Sequence, residues 1–253
     1  MAHTLRWRLF LILTGCAGCI QGPPASVASE RDMARQRPDA PTVDDGWSED
    51  VATSDVGAPD PDILTLQFQS GVKPAPGYAG AFDVYLSGGN PDDTHAGSER
   101  LKAGDDDSAL LAWDVSAIPR ASVVVDATIL WVTHADEDTS DPVDVYVAAT
   151  YWFESEATWN QPREGAVWDV AGCRGASDLG LNVGTVQATG PDEIISIQSQ
   201  ALTDTVQDWV REPLNNNGVV LQSAAAADAL FLYSRETDSQ EKRPLLTVRY
   251  HRP

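Results

Sequence analysis

The sequence predicts an all-β protein, an antiparallel jelly-roll β-sandwich with one short helix. Three observations support this prediction. From residue 62 onward, apolar and polar residues alternate in short runs, a pattern typical of strands with one buried face. These runs are rich in Val, Ile, Thr and aromatic residues, and clusters of Gly, Pro, Asn and Asp separate them. A single segment has the apolar spacing of a helix instead.

The predicted elements form one domain, residues 62–253. Nine strands are predicted, at 63–69, 81–87, 109–115, 123–134, 143–150, 193–200, 218–223, 229–234 and 245–250. The helix is predicted at 201–210, where Leu202, Val206 and Trp209 or Val210 share a face. We expect Trp209 to cover an open end of the sandwich. Many short strands with so little helix favour a jelly roll.

Residues 1–16 have the features of a lipoprotein signal peptide. Arg6 and Arg8 precede the apolar run LFLIL, which is too short to span a bilayer, since a spanning helix needs about 20 residues. The sequence LTGC, which ends at Cys16, resembles the bacterial lipobox, in which the cysteine is acylated. We therefore expect export to the cell envelope, as an outer-membrane lipoprotein or at the cell surface, with membrane attachment through Cys16. An ordinary signal peptide with a cysteine nearby is the alternative.

Residues 17–61 differ in composition from the rest of the chain. They are rich in Pro, Ala, Ser, Asp and Gly and have no apolar period, so we predict a disordered acidic tether between the anchor and the domain. The tether contains Cys19, and Cys173 lies in the domain. We expect Cys173 to be a half-buried free thiol, and a disulfide between the two cysteines, which export would permit, is the alternative.

The charge of the chain limits its partners. It has 253 residues, with 17 Lys and Arg against 38 Asp and Glu, which gives a formal charge of −21. This balance argues against nucleic acid as a partner, because few cations are present to neutralise phosphates. It also disfavours long-range attraction to a polyanionic glycan unless a bound cation intervenes.

Five motifs stand in a fixed order in residues 63–250. They are GYAGAFDVYL, ERLKAGDDDSALLAWDVSAIPRASVVVDATILWV, WFESEATWNQP, ALTDTVQDWVREPLNNNGVVLQS and LYSRETDSQEKRPLLTVRY. This succession resembles the DNRLRE-type domain, which is also grouped as family 96 of the carbohydrate-binding modules. The sequence departs from that pattern modestly, with Trp113 in place of Phe, Trp131 in place of a core Leu, and Ala157 in place of Val. The resemblance implies a jelly roll that binds polysaccharide in secreted bacterial proteins and carries no catalysis.

The motif WFESEATWN allows two interpretations of its carboxylates. Glu154 and Glu156 are two apart, so on a strand they would share a face, and a retaining glycosidase needs two carboxyls about 5–5.5 Å apart. Such acids normally flank a cleft from different strands, however, and His95 and His134 lie in no catalytic motif. We therefore favour a binding protein over an enzyme.

The second interpretation, which we favour, makes this motif a structural corner of the sandwich and not an active site. Glu154 would accept hydrogen bonds from backbone amides, while Thr158 and Asn160 would fix the turn. Trp152 and Trp159 would then pack between the two sheets.

Candidate ligand-binding residues are few and scattered along the sequence. Sugar binding requires a flat aromatic side chain and directional polar groups. Tyr78 stands in a Gly-rich loop where we expect it to be exposed, and Asp83 and Tyr85 share a strand face. The cations that could meet glycan hydroxyls or carboxylates are Arg100, Lys102 and Arg235.

Three acidic loops, 90–93, 104–108 and 135–141, concentrate the oxygen ligands that Ca²⁺ prefers. Asp83, Asn90 and Asp92 are the candidate metal ligands, and solvated acidic loops are the alternative.

We predict a surface-anchored module that binds polysaccharide of the matrix or cell wall. A structural or adhesive module that contacts protein partners is the second hypothesis.

Overall fold

The computed structural model describes residues 62–104, 106–138, 141–223 and 228–253. Within these ranges it confirms an all-β sandwich of antiparallel strands with one α-helix. The predicted signal peptide, Cys16, Cys19 and the tether lie outside the described residues. No helix in the described ranges is both long and apolar enough to cross a membrane.

Eleven strands are present in the described ranges. They are β1 (Ile63–Phe68), β2 (Ala81–Ser87), β3 (Arg100–Ala103), β4 (Asp107–Trp113), β5 (Val123–Val132), β6 (Val143–Ala148), β7 (Leu179–Val186), β8 (Ile194–Gln198), β9 (Val219–Gln222), β10 (Leu230–Tyr233) and β11 (Leu245–His251). The helix α1 (Gln200–Arg211) lies between β8 and β9, and short 3-10 turns follow at Pro213–Asn215 and Gln240–Lys242. All nine predicted strands and the predicted helix are therefore found.

The strand order is that of a jelly roll with insertions. One sheet has the order β1-β11-β5-β8, the other has the order β2-β4-β9-β6-β7, and β3 pairs with β10 in a separate ribbon. Without β3, β4 and β10, the remaining eight strands, counted along the chain, form sheets of order 1-8-3-6 and 2-7-4-5. This is the arrangement of two packed Greek keys. The inserted strand β4 extends the second sheet to five strands.

Two strands, β3 and β7, are missing from the sequence prediction. β3 has four residues and two of them are cations, so its apolar alternation is too short to detect. β7 contains Gly180 and Gly184, and its register against β6 shifts twice. Glycine inside a strand marks such irregular pairing and removes the side chains that would carry the pattern.

The main hydrophobic core lies between the two sheets. On β4, Ala109, Leu111 and Trp113 point into it, and on β5, Ile129 and Trp131 do the same. This alternation follows from the two-residue period of a strand.

Helix α1 packs against β5 and β7, one strand from each sheet. Its N-terminus is capped by Ser199, whose Oγ accepts a hydrogen bond from the Leu202 amide at 3.0 Å. Its apolar face buries Leu202, Val206 and Trp209 in the main core.

A second hydrophobic cluster covers the outer face of the five-stranded sheet. The chain between β6 and β7, residues 149–178, folds back over this face; we call it the cover segment. Outward side chains of β2, β4 and β9 meet apolar side chains of the cover segment there. The cluster contains Val84, Leu86, Leu110, Ala148, Trp152, Ala157, Trp168, Cys173 and Val220.

The prediction that Trp152 and Trp159 pack between the sheets is wrong. Trp152 is buried in the second cluster, and Trp159 packs against that cluster while remaining half-buried. The physical reason is that the five-stranded sheet is apolar on both faces, as the unbroken run ALLA at 109–112 indicates. Its outer face therefore needs a cover, and the tryptophans of the corner motif belong to that cover.

Candidate functional site

The beginning of the cover segment is extended, so its side chains alternate between the protein and the solvent. Trp152 points into the second cluster, and its Nε1 donates a hydrogen bond to the Asn217 carbonyl oxygen at 2.8 Å. Its neighbours Tyr151 and Phe153 keep 52% and 43% of their surface exposed. Their rings lie 5.0 Å apart in an edge-to-face arrangement. The burial of Trp152 thus holds the two neighbouring aromatic rings in exposed positions.

These rings line a groove of about 430 Å³. Four stretches of the chain form it: Phe82 from β2, residues 112–115 at the end of β4, residues 151–155 from the cover segment, and Pro213, Asn216 and Asn217 before β9. Phe82 is 43% exposed. The groove therefore combines exposed aromatic surface with a few polar side chains, the composition common to small-ligand and sugar sites.

Glu154 lies on the wall of this groove. Its carboxylate is bound by protein groups behind that wall. Its Oε1 accepts hydrogen bonds from the Asp83 amide at 2.9 Å and from Arg235 Nε at 2.7 Å. Its Oε2 accepts from Arg235 Nη2 at 2.9 Å, which completes a bidentate pair. Glu154 therefore accepts from a backbone amide as predicted, but the amide belongs to β2 and the arginine partner was not foreseen.

Asp83, Glu154, Arg235 and Glu236 form a carboxylate cluster behind the groove wall. Asp83 is only 3% exposed, and its Oδ2 accepts a hydrogen bond from the Arg235 amide at 2.8 Å. Arg235 Nε also lies 2.9 Å from Glu236 Oε1. Glu154 and Glu236 thus share one guanidinium, and Asp83 binds the backbone amide of the same arginine.

The excess of carboxylates in this cluster changes its titration. Burial raises the pKa of Asp83 well above its ordinary value, and the charge of Glu236 raises it further. Burial also raises the pKa of Glu236, whose carboxyl is hydrogen-bonded to that of Asp83. Because each of these two carboxyls affects the pKa of the other, they titrate as a pair.

Glu156 is held separately from Glu154. Its Oε2 accepts a hydrogen bond from the Glu164 amide at 2.9 Å within the cover segment. The two glutamates of the motif therefore have different partners and do not form a facing pair.

The polar residues that follow in the motif fix the turn. Thr158 Oγ1 accepts from the Asn160 amide at 3.2 Å, and the Thr158 carbonyl accepts from Trp168 Nε1 at 2.9 Å. Asn160 Nδ2 donates to Asp92 Oδ1 at 2.7 Å, which ties the turn to the loop after β2.

The Trp159 ring packs closely against the backbone at Gly172 in the same segment. A Cβ atom on Gly172 would lie 2.4 Å from the Trp159 ring, and Gly172 has φ +82°. The Arg174 guanidinium lies 5.2 Å from the ring centroid. The half-buried ring is thus enclosed by its own segment.

The predicted ligand residue Tyr78 is half-buried, not exposed as expected. Its hydroxyl donates to the Asp114 carbonyl oxygen at 2.8 Å, and its ring packs against Phe68. Burial raises the pKa of this hydroxyl.

The other predicted ligand residues divide into two groups. Asp83 and Arg235 belong to the carboxylate cluster behind the groove. Tyr85 is buried with its ring stacked 4.1 Å from that of His95, and Lys102 Nζ lies 5.1 Å from the Tyr85 ring centroid. The last residue, Arg100, pairs with Asp136 at 3.2 Å. The ligand role of these residues stays a prediction.

Two of the three proposed metal ligands, Asp83 and Asp92, have separate protein partners. Asp83 accepts from the Arg235 amide, and Asp92 accepts from Asn160. Asn90 lies in the loop after β2. In the part of the chain that the structure describes, no three His, Cys, Asp or Glu side chains are grouped to hold a metal ion. Ca²⁺ binding stays a prediction as well.

Cys173 lies in the second cluster with its side chain fully buried. Burial raises the pKa of its thiol, with the charge of Asp178 adding to the effect. It is a free cysteine, as the favoured interpretation expected, and Cys19, the partner in the alternative disulfide, is outside the described residues.

Sequence reasoning missed the groove residues Phe82, Tyr151 and Phe153. The signal available was the order Tyr-Trp-Phe-Glu at 151–154, since an extended segment that buries its tryptophan must expose both neighbours.

No protein-family model and no curated protein matches this chain. The resemblance to DNRLRE-type domains therefore stays a prediction.

Proposed function

We propose that the chain is a polysaccharide-binding module without catalytic activity, and that the aromatic groove is its binding site. The observation that carries this proposal is the set of three exposed aromatic side chains, Phe82, Tyr151 and Phe153, around one groove. The apolar face of a pyranose ring stacks on such rings, while lining polar groups orient its hydroxyls.

The groove is also held in a fixed shape, which favours binding. Trp152 anchors the cover segment in the second cluster, and Glu154 joins that segment to β2 and to Arg235. A site that is ordered before binding loses less conformational entropy when a ligand arrives.

The partners of the two glutamates support a binding role over a glycosidase. Both oxygens of Glu154 accept from Arg235, and Glu156 accepts from the backbone of its own segment. A glycosidase would require two carboxyls on opposite sides of a bound sugar. Glu154→Gln and Glu156→Gln test this directly, because a glycosidase would lose turnover and a binding module has none to lose.

Attachment to the envelope completes the proposed function. Acylation of Cys16 would anchor the chain, and residues 17–61 would hold the domain away from the membrane. Two or more acyl chains give stable attachment, whereas a single chain is marginal.

A second candidate is an adhesive module that binds a protein. Leu214, in the 3-10 turn beside the groove, is 96% exposed, and its neighbour Pro213 lines the groove. These residues extend the exposed apolar surface beyond the three aromatic side chains of the groove, and exposed apolar patches are common at protein interfaces.

Affinity electrophoresis of the full-length chain in gels with matrix and cell-wall polysaccharides tests the proposal. We expect retardation by at least one polysaccharide, and we expect Phe82→Ala and Tyr151→Ala to abolish it. Ile194→Ala is the matched control, because Ile194 is an exposed apolar residue on the other sheet. Absence of retardation by every polysaccharide, with Ca²⁺ present, would contradict the proposal, and specific capture of a defined protein would favour the second candidate.

A further inference from the structure

We infer that the groove selects uncharged glycan chains and rejects chains whose bound sugars carry a carboxylate. This inference rests on the proposed function, and it names the class of ligand that the same site would take.

The first observation is the charge of the lining. Two ionisable side chains on the groove, Asp114 and Glu154, are acids. Among the described residues that line it, none is Lys, Arg or His. Arg235 pairs with Glu154 from behind the wall, but its guanidinium also contacts Glu236, and its backbone amide donates to Asp83. A carboxylate in the groove would therefore meet like charge with no cation on the lining to pair with.

The second observation is the direction of the available hydrogen bonds. Asn216 Nδ2 donates to the Trp113 carbonyl at 2.7 Å, and Asn217 Nδ2 donates to the Ala149 carbonyl at 3.0 Å. The lining carboxylates of Asp114 and Glu154 can only accept when ionised. A sugar hydroxyl can donate to such acceptors, whereas a sugar carboxylate can only accept, and the donors on the lining that could meet it are neutral hydroxyl and amide groups with no compensating positive charge.

One cation near the groove needs separate consideration. The Arg163 guanidinium lies 5.7 Å from the centroid of the Tyr151 ring, and its Nη1 donates to the Tyr151 carbonyl at 2.6 Å. This hydrogen bond holds the guanidinium against the backbone of the cover segment. If an acidic glycan did bind, Arg163 would be the group to pair with it, so its removal belongs in the experiment.

The charge of the whole chain acts in the same direction. A formal charge of −21 repels a polyanionic chain before it reaches the groove. This contribution is long-range and weakens with salt, whereas the contacts inside the groove are screened less. The two contributions can therefore be separated by ionic strength.

Matched pairs of polysaccharides provide the test. Soluble glucan, mannan and galactan are each compared with a derivative of the same backbone whose C6 hydroxymethyl groups are oxidised to carboxylates. Binding of the full-length chain to each is measured by calorimetry at low and at high salt, for the wild type, Tyr151→Ala, Asp114→Asn and Arg163→Gln.

We expect at least one neutral backbone to bind through Tyr151, and its oxidised derivative to bind about tenfold more weakly or worse, even at high salt. Asp114→Asn should narrow that difference, because it removes a lining charge but keeps the oxygen that accepts from the Ser116 amide. Arg163→Gln should leave binding of the neutral chain unchanged within about twofold.

Two results would overturn the inference and are distinguishable from each other. If an oxidised chain binds as tightly as its neutral parent and Tyr151→Ala removes that binding, the groove is a glycan site but does not select against charge. If neither member of any pair binds, or binding persists in Tyr151→Ala, the groove is not the glycan site and the proposed function fails with the inference.

Discussion

The outer faces of the two sheets differ although their inner faces share one core. On the four-stranded sheet, a polar row of Gln67, Thr247, Thr128 and Gln198 crosses all four strands and is open to solvent or half-buried. On the five-stranded sheet, the corresponding face is largely apolar, and its second cluster lies beneath the cover segment, while Phe82 at its edge stays exposed. A sandwich is complete without such a cover, since antiparallel sheets tolerate water on one face. The cover is an addition, and the groove lies at its edge.

The aromatic residues of the sandwich and those of the cover segment have different roles. Those between the sheets maintain the sandwich, whereas those of the cover segment alternate between anchoring it and facing the groove. The predictions below test this separation, beginning with the largest expected change in stability.

The core between the sheets should be the most sensitive region. Trp131→Ala removes a fully buried ring from β5, and we expect the free energy of unfolding to fall by about 3–5 kcal/mol. Denaturant unfolding measures this change. Trp131→Phe is the control, because the Trp131 Nε1 is buried with no hydrogen-bond partner and its removal offsets part of the lost packing. An alanine variant as stable as the wild type would contradict this role of Trp131.

A substitution in the second cluster should cause local unfolding of the cover segment rather than unfolding of the whole sandwich. Trp152→Ala removes the anchor of the cover segment and its hydrogen bond to Asn217, at a cost of about 2–4 kcal/mol. Amide hydrogen exchange should become faster in the cover segment, while amides of β5 and β11 stay protected. Equal acceleration in both sheets would show that the cover and the sandwich form a single cooperative unit.

Two glycines of the cover segment form a matched pair. Gly172 and Gly165 both have positive φ, but a Cβ on Gly172 would lie 2.4 Å from the Trp159 ring, whereas a Cβ on Gly165 would meet nothing within 4 Å. We expect Gly165→Ala to cost about 1 kcal/mol from backbone strain alone, and Gly172→Ala to cost about 2–3 kcal/mol. Thermal or denaturant unfolding checks both. Equal losses would show that the Trp159 ring moves aside at no cost.

The carboxylate cluster predicts a pH dependence of stability. Because the folded-state pKa values of Asp83 and Glu236 are raised, the folded state binds more protons than the unfolded state in the range above about pH 4. Stability from this pair is therefore complete at low pH and is lost as the pH rises through the raised pKa values.

Asp83→Asn tests this dependence. The amide can accept from the Arg235 backbone through its oxygen and donate to Glu236 through its nitrogen, so it replaces the protonated acid. We expect the free energy of unfolding of the variant to fall less steeply with rising pH than that of the wild type. Parallel curves for the two proteins, measured by denaturant unfolding between pH 4 and 9, would show that this pair does not titrate in that range.

The sequence predicts the strands of the four-stranded sheet well because they bury one face, so apolar and polar residues alternate along them. β5 and β11, for example, are evident from alternation alone. The cover segment could not be foreseen, because nothing in a local apolar pattern states which face of a sheet it will meet. The ion pair of Glu154 with Arg235 joins residues 81 positions apart in the sequence, so it could not be predicted either.

The candidate site was therefore predicted only in part. Asp83 and Arg235 were identified as notable residues, and they lie in the carboxylate cluster behind the groove wall. The aromatic side chains on the open side of that wall were not identified, since their exposure depends on the burial of Trp152.

Phe153 offers the most direct test of the central claim, that the cover segment buries Trp152 in order to present aromatic rings to a glycan. The measurement is the affinity of Phe153→Ala for the polysaccharide that retards the wild type, together with its melting temperature. The account predicts a melting temperature within about 2 °C of the wild type, because Phe153 is 43% exposed, and at least about tenfold weaker binding. Unchanged affinity in a folded Phe153→Ala protein would contradict the account.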